Sequence, residues 1–272
     1  MKTSKKIFYI LIVLLTFFLT SCGLSNGTTT NNIINRVIRY DDISISDFNQ
    51  MVKTAVDKAS QSSIAIIAER NGILTANVSL GSGVIIKREN EGTLYTYYAL
   101  TNRHVVDYKG SICKNVNIIY DGNSAHAIPG MTIAYDHNVD IALVKFSATL
   151  LFEPVKIDTT NPAVKGDMVI AYGTPYSLEY FGTANFGIIS NVNLSLVDNQ
   201  YNTNVQITNT YIQHDASINS GNSGGGLFDI YGNLLGINTK KLVGTTSDPI
   251  EGIGFAIPIN DIMQLTNFSN YF

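Results

Sequence analysis

The feature that most constrains the fold of this chain is a series of short, closely spaced segments rich in Ile, Val and Tyr. Each segment predicts a β-strand, and the segments are residues 63–68, 83–87, 94–100, 141–146, 168–172, 205–212, 225–230, 233–238 and 252–257. Turn signals such as Asp121-Gly122-Asn123 separate them. No helical pattern alternates with the strands, which argues against a parallel α/β sheet. We therefore expect an all-β body of antiparallel strands, built as barrels or a sandwich.

One helix is predicted before the β body. Between Ser46 and Ala59 the apolar residues recur at spacings of three and four, and Ser46 or Asp47 can cap the first turn. A second, short helix is expected from Asn260 onward, near the end of the chain.

The first 21 residues predict an export signal. Lys2, Lys5 and Lys6 precede an apolar run of 13 residues at positions 7–19, which is short for a permanent membrane helix. The segment Leu19-Thr20-Ser21-Cys22 resembles the bacterial lipoprotein signal, in which the cysteine is acylated and becomes the new N-terminus. The alternative is that Cys22 is an ordinary residue beside a signal-peptidase site.

The lipoprotein interpretation also predicts the location of the mature protein. Residues 22–36 are rich in Gly, Ser, Thr and Asn and form a flexible tether in this prediction. Lipid on Cys22 would hold the chain at the cell membrane, on its extracytoplasmic face.

Charge and cysteine content exclude two classes of function. The chain carries 18 Lys and Arg against 21 Asp and Glu, so it has no net basic field for nucleic acid. Its two cysteines form no CxxC pair, and His126, His137 and His214 lack metal-ligand spacing. We expect no metal site and no cofactor.

The strongest chemical signal is a serine set among glycines, Gly221-Asn222-Ser223-Gly224-Gly225-Gly226. Such a loop lets backbone N–H groups approach a ligand, although alone it is equally consistent with an ordinary turn. His104 directly follows a predicted strand and Asp140 directly precedes one, and each alone also has a purely structural explanation. Together the three supply a nucleophile, a base and an orienting carboxylate.

The order of these residues separates two hydrolase classes. All four histidines precede Ser223, whereas α/β-hydrolases need the catalytic histidine after the serine. The order His, Asp, Ser is that of the chymotrypsin type.

With these residues in this order, the chain resembles the trypsin-like serine proteases, and among them the HtrA/DegP group. Seven segments occur in the order of that group: GSGVII, TNRHVV, DIALVK, AYGTP, DASINSGNSGG, LLGINT and GIGFAIP. They extend from Gly81 to Pro258, about two thirds of the chain.

The resemblance implies two six-stranded antiparallel β-barrels, the first with the N-terminal helix in residues 37–150 and the second with the C-terminal helix in residues 151–272. It implies that Ser223 attacks a peptide carbonyl to give an acyl-enzyme, that His104 transfers the proton, and that Asp140 fixes the imidazole. Backbone N–H groups of Gly221 and Ser223, with Asn222 as a third candidate, would receive the oxyanion.

The resemblance also suggests residues that bind substrate. Ser217 would form a neutral floor of the primary specificity pocket, Ile218 would narrow it, and Asn238 stands where glutamate-specific relatives carry a histidine. Thr239 either donates a hydrogen bond to Asp140 or is ordinary strand packing. The remaining candidates are Gly254 of the last segment and the lysines Lys240 and Lys241, which are either binding residues for acidic substrates or solvated charges at a strand edge.

We therefore expect a serine endopeptidase that cleaves unfolded or exposed polypeptides after small or medium apolar residues. The group suggests a homotrimer, and the 49 residues after Ser223 leave no room for a PDZ domain. The alternative function is a surface lipoprotein that binds polypeptides in the same cleft without cleaving them.

Overall fold

The computed structural model describes residues 44–70, 77–199, 206–241 and 251–272 of the chain. Helix α1 spans Ile45–Ser62, and its inward side buries Ala55, Ala59 and Ser62. No helix in these ranges is both long and apolar enough to cross a membrane.

The N-terminal strands form a closed six-stranded barrel, here called the first barrel. Its strands pair in the order β1-β2-β3-β8-β7-β6, all antiparallel, and β6 pairs back with β1. The strands are β1 (Ser63–Arg70), β2 (Asn77–Glu91), β3 (Leu94–Asn102), β6 (Asn115–Ile119), β7 (Ile128–Asp136) and β8 (Ile141–Ala148). Strands β4 (Asp107–Tyr108) and β5 (Ser111–Ile112) form a separate small hairpin.

The remaining six strands form what we call the second ring. They pair in the order β10-β11-β14-β13-β12-β9, and β9 pairs again with β10. These strands are β9 (Met168–Gly173), β10 (Thr183–Asn199), β11 (Gln206–His214), β12 (Gly226–Asp229), β13 (Leu234–Lys241) and β14 (Gly254–Pro258). Helix α2 (Ile259–Gln264) follows directly.

Alternation along the strands divides the apolar side chains between three cores. Ile64, Ile66 and Ala68 of β1 fill the interior of the first barrel, as the two-residue period of a strand dictates. A second cluster, which includes Val169 and Ile212, fills the second ring. The third cluster is shared, because it joins residues of both strand sets to helix α2. This shared core fixes the two strand sets against each other.

The prediction of a mostly antiparallel β protein with a six-stranded barrel is confirmed. Helix α1 covers the predicted residues 46–59 and is slightly longer, and all nine predicted strand segments overlap observed strands. Strands β6, β7 and the 17-residue β10 were not predicted. The signal and the tether stay predictions, because residues 1–43 lie outside the described ranges, and the division of the chain at residue 150 stays a prediction as well.

One buried histidine in the second ring has no role in the predicted chemistry. His214 ends β11, is fully buried, and its ring packs on Gly254 of β14, where a Cβ atom would lie 2.7 Å from the ring. Burial lowers the pKa of His214 to about 4 from an ordinary 6.5, and neither ring nitrogen has a hydrogen-bond partner within the described structure. The native protein therefore holds this imidazole neutral.

We expect His214 to destabilise the fold in acid. The unfolded chain takes up the proton near pH 6.5 and the native state near pH 4, so the free energy of unfolding falls across that window by up to about 3 kcal/mol. Above pH 6.5 the imidazole is neutral in both states, so this loss is absent. Urea unfolding at pH 7 and pH 4.5 should show the loss in wild type and a smaller loss in His214→Leu. Equal losses in both proteins would contradict the assignment.

Candidate active site

His104 lies in a short 3₁₀ turn, Arg103–Val105, that directly follows β3. The neighbouring Arg103 is 2% exposed and its Nη1 lies 3.1 Å from Oδ2 of Asp107, which forms an ion pair beneath the turn. The same Nη1 lies 3.0 Å from Nδ1 of His137. These contacts hold the turn against the barrel, while 40% of the His104 side chain stays exposed.

Asp140 directly precedes β8, and both of its carboxylate oxygens contact His104. Oδ1 accepts the backbone N–H of His104 at 3.0 Å, and Oδ2 lies 2.7 Å from Nδ1 of the ring. The hydroxyl of Thr239 donates to the same Oδ2 at 2.9 Å, from strand β13 of the second ring. Because a carboxylate only accepts, Nδ1 carries the proton and Nε2 is left as a base.

This arrangement changes the acidity of the imidazole. Burial lowers the pKa of His104 and the charge of Arg103 lowers it further. The hydrogen bond to Asp140 and the charge of that carboxylate raise it by more, so the net pKa lies above the ordinary value. His104 is thus tuned by the residue that also orients it.

Ser223 lies in a tight loop between β11 and β12 whose glycines are required by its backbone. Gly221 has φ +96° and Gly224 has φ +85°, in the left-handed region that disfavours side chains. A Cβ atom at Gly221 would clash with the Thr174 carbonyl. The Ser223 hydroxyl is half-buried and donates to the carbonyl of Thr239 at 3.0 Å. Thr239 therefore contacts both Ser223 and Asp140.

Ser82 of β2 connects the first barrel to this loop. Its backbone N–H donates to the Ser223 carbonyl at 2.8 Å, and its hydroxyl donates to the Gly221 carbonyl at 2.8 Å. The same hydroxyl accepts the Thr174 N–H at 2.9 Å, and the Thr101 hydroxyl donates to the Ser82 carbonyl at 2.7 Å. Sequence analysis missed this residue. Its position between two glycines of a strand was the available signal for close backbone approach.

Two backbone N–H groups of the loop are available to a ligand. Among the described residues, those of Gly221 and Ser223 have no acceptor. The N–H of Asn222 donates to the Asn219 carbonyl at 3.0 Å. Because the N–H of Asn222 is already bonded, it is not free to donate to an oxyanion. The N–H groups of Gly221 and Ser223 stay the candidate donors.

The predicted substrate-binding residues do not all face solvent. Ser217 is exposed, and its carbonyl accepts the Asn185 amide at 2.9 Å. Ile218 is 8% exposed and packs within the core of the second ring. Ile218 therefore anchors the segment before Ser223 to the core of the second ring.

Asn238 and Gly254 also make structural contacts, and their predicted roles in substrate binding stay predictions. Asn238 is 1% exposed, and its amide donates to the Gly226 carbonyl at 2.8 Å. This contact lies next to the loop of residues 219–224 that carries Ser223, here called the nucleophile loop. Its backbone carbonyl accepts the Gly224 N–H at 2.9 Å. Gly254 provides space for the His214 ring. Both residues are buried and support the site from the protein interior.

The backbones of Lys240 and Lys241 pair with Phe255 and Gly254 across β13 and β14. Their side chains, and Cys22 with the whole N-terminal segment, lie outside what the structure describes. No cluster of His, Cys, Asp and Glu among the described residues is arranged to hold a metal ion.

Comparison with known proteins agrees with this geometry. Residues 81–237, more than half of the chain, match the trypsin-like peptidase domain. The chain is 28% identical over 270 residues to the serine protease Do-like HtrA of Lactococcus lactis subsp. cremoris, covering 91% of this chain and 63% of that protein. It is 35% identical over 187 residues to the serine protease Do-like HtrA of Bacillus subtilis, covering 68% of this chain and 38% of that one.

A further relative is the probable periplasmic serine endoprotease DegP-like of Buchnera aphidicola subsp. Baizongia pistaciae. The two are 38% identical over 188 residues, which is 69% of this chain and 36% of the relative. The chain thus spans less than two thirds of the length of these curated relatives.

We expect Ser82→Ala to loosen the nucleophile loop. The change leaves the buried Thr174 N–H without its acceptor, which costs about 1–3 kcal/mol of unfolding free energy. Ser63→Ala is the matched control, because its buried hydroxyl shares the Ala59 carbonyl with that of Ser62. Hydrogen exchange by mass spectrometry should speed up at residues 219–224 in Ser82→Ala alone. Unchanged exchange there would refute the role of Ser82.

Proposed function

This chain belongs to the trypsin-like peptidase family, and on that basis we propose that it is a serine endopeptidase with Ser223, His104 and Asp140 as its catalytic triad. The observation that supports the triad is the Asp140 carboxylate, whose Oδ2 bridges His104 Nδ1 at 2.7 Å and the Thr239 hydroxyl at 2.9 Å. Thr239 in turn accepts the Ser223 hydroxyl through its carbonyl. A single strand thus contacts both the nucleophile and the orienting acid.

These positions support the following reaction. Ser223 Oγ leaves the Thr239 carbonyl, gives its proton to Nε2 of His104 and attacks the peptide carbonyl. Asp140 stabilises the imidazolium that forms, and the free N–H groups of Gly221 and Ser223 donate to the oxyanion. The imidazolium then protonates the leaving amine, which gives the acyl-enzyme. Water, deprotonated by His104, releases the acid and restores Ser223.

We expect wild type to cleave unfolded casein, and Ser223→Ala and His104→Ala to lose nearly all of that cleavage, because each removes one member of a proton-transfer unit. Asp140→Asn should lower kcat by about 10⁴-fold through the wrong imidazole tautomer. Ser220→Ala is the control, since this exposed serine lies in the same loop and contributes only a carbonyl to the Tyr176 N–H. Casein binding without cleavage by wild type would favour the polypeptide-binding alternative.

We extend the proposal to substrate choice. The exposed Ser217 carries no charge, so nothing in this side chain attracts Lys or Arg before the scissile bond, and small or medium apolar residues are favoured. Lys240 and Lys241 follow Thr239 along β13, the strand that contacts Asp140 and Ser223. Substrate paired with this strand brings its upstream side chains near the lysines. We propose that they favour Asp or Glu two to four residues before the cut.

A peptide library tests both statements. Wild type should prefer acidic residues upstream by about two- to fivefold, the effect of an exposed ion pair worth about 0.5–1 kcal/mol. The double variant Lys240→Gln, Lys241→Gln should lose the preference, as should wild type in high salt. Identical preferences in the two proteins would leave the lysines as surface charges. Dominant cleavage after Lys or Arg would contradict the neutral pocket.

We also propose that the protein is a lipoprotein held at the extracytoplasmic face of the cell membrane through Cys22. Support comes from the sequence, in which three lysines, an apolar run of 13 residues and small residues precede this cysteine. One acyl chain binds membranes only marginally, so stable anchoring needs the diacylglycerol of lipoprotein processing.

Labelling with radioactive palmitate tests the anchor. We expect label in wild type, none in Cys22→Ser, and full label in Cys113→Ser, which changes the other cysteine of the chain. Cys22→Ser should also leave the membrane fraction. Label that persists in Cys22→Ser would refute the assignment.

A further inference from the structure

The turn that carries Asp140 has a strained backbone. Asp140 has φ +58°, in the left-handed region that a non-glycine residue enters at a cost. Such a conformation persists only where the surrounding structure holds it. The contacts around residues 137–140 therefore determine where the carboxylate of Asp140 lies.

The first barrel supplies some of these contacts. The Asp140 carbonyl accepts the side-chain amide of Asn102 and the backbone N–H of Arg103, both at 3.1 Å. Oδ1 of Asp136 accepts the N–H groups of Asn138 at 2.7 Å and Val139 at 3.0 Å. The turn is thus held from the barrel side at its beginning and at its end.

The second ring supplies a contact to the middle of the turn. Nδ2 of Asn209, on β11, donates to the carbonyl of Asn138 at 2.7 Å, across 71 residues of sequence. Asn138 stands two residues before Asp140. This hydrogen bond is therefore a link between the strand sets, placed beside the residue with the strained backbone.

The orientation of the Asn209 amide is itself fixed. Nδ2 also lies 3.3 Å from Oδ2 of Asp198 on β10, and the hydroxyl of Tyr211 donates to the same oxygen at 2.6 Å. Because a carboxylate only accepts, the NH₂ group of Asn209 must face Asp198, which also directs it toward Asn138. Tyr211 is 3% exposed and anchors the set in the second ring.

The region around this link is not densely packed. A cavity of about 210 Å³ borders Asn138, Asp140 and His104 on one side and Asp198, Asn209 and Tyr211 on the other. The Asn209 hydrogen bond thus acts on the turn from the side of this open space, together with the contacts from Asn102 and Asp136 on the barrel side. Asn209 makes no hydrogen bond to His104, Asp140 or Ser223 in the described structure.

We propose that Asn209 is a positioning residue, which holds the 137–140 turn through the Asn138 carbonyl and so keeps the Asp140 carboxylate on His104. Its catalytic consequence rests on the proposed protease function. The placement of the Asp140 carboxylate does not depend on that function, because the pKa of His104 reports it directly.

The test is an NMR titration of His104 in the full chain carrying Ser223→Ala, which removes self-cleavage. The groups that act on His104 are Asp140, which raises its pKa, and Arg103, which lowers it. Asn209→Ala should lower the pKa of His104 by about 0.3–1 unit, because the turn relaxes and the carboxylate moves away. Asn209→Leu, which has a similar volume, lacks the donor and adds no charge near His104, should do the same and serves if the alanine variant folds poorly.

Thr208→Ala is the matched control, because Thr208 is an exposed neighbour on the same strand. It should leave the titration of His104 unchanged. In chains with Ser223 intact, Asn209→Ala should lower kcat by about three- to tenfold with little change in KM, the size expected for one lost hydrogen bond.

The outcomes separate the two proposals. An unchanged pKa of His104 in both Asn209 variants, or an equal shift in Thr208→Ala, would overturn the positioning role. A wild type that cleaves no casein would overturn the protease function, and the titration would still decide the role of Asn209.

Discussion

The site depends on the contact between the two strand sets, because neither set holds all three residues of the proposed triad. His104 and Asp140 come from the first barrel and Ser223 comes from the second ring. Two short contacts join them: Ser82 with the nucleophile loop, and Thr239 with Asp140. The apolar cluster shared by both strand sets makes this contact rigid. The arrangement of Ser223, His104 and Asp140 therefore depends on the interface between the two strand sets.

Two histidines of this fold show how local contacts set acidity. Burial lowers the pKa of both His104 and His214. At His104 the adjacent carboxylate of Asp140 outweighs burial and raises the pKa, whereas at His214 burial outweighs the charge of Asp215 and the pKa falls to about 4. The first imidazole thus has the raised proton affinity that the proposed base requires, and the second stays neutral as part of the core.

Local sequence patterns were sufficient for the parts of the structure that depend on neighbours along the chain. Helix α1 and the short apolar strands were predicted from periodicity, and the His, Asp, Ser order indicated the chemistry. Strand β10 was missed because Gly187 and several asparagines interrupt its apolar pattern, and pairing with β9 and β11 overrides that signal.

The roles of individual site residues depended on distant contacts that no local pattern contains. Asn238 lies under the nucleophile loop through its bond to Gly226, and Ser82 and Asn209 act across the two strand sets. Thr239 was the exception, since its predicted hydroxyl bond to Asp140 is present. Here the resemblance to a family supplied the distant partner.

The measurement that tests this account most directly is covalent labelling with an alkyl fluorophosphonate, which forms a P–O bond to an activated serine and releases fluoride. Mass spectrometry should locate the label on Ser223 alone, and labelling should be lost in His104→Ala, because the serine and the base come from different strand sets and act together. Labelling of another serine, or equal labelling of Ser223 without His104, would contradict the account.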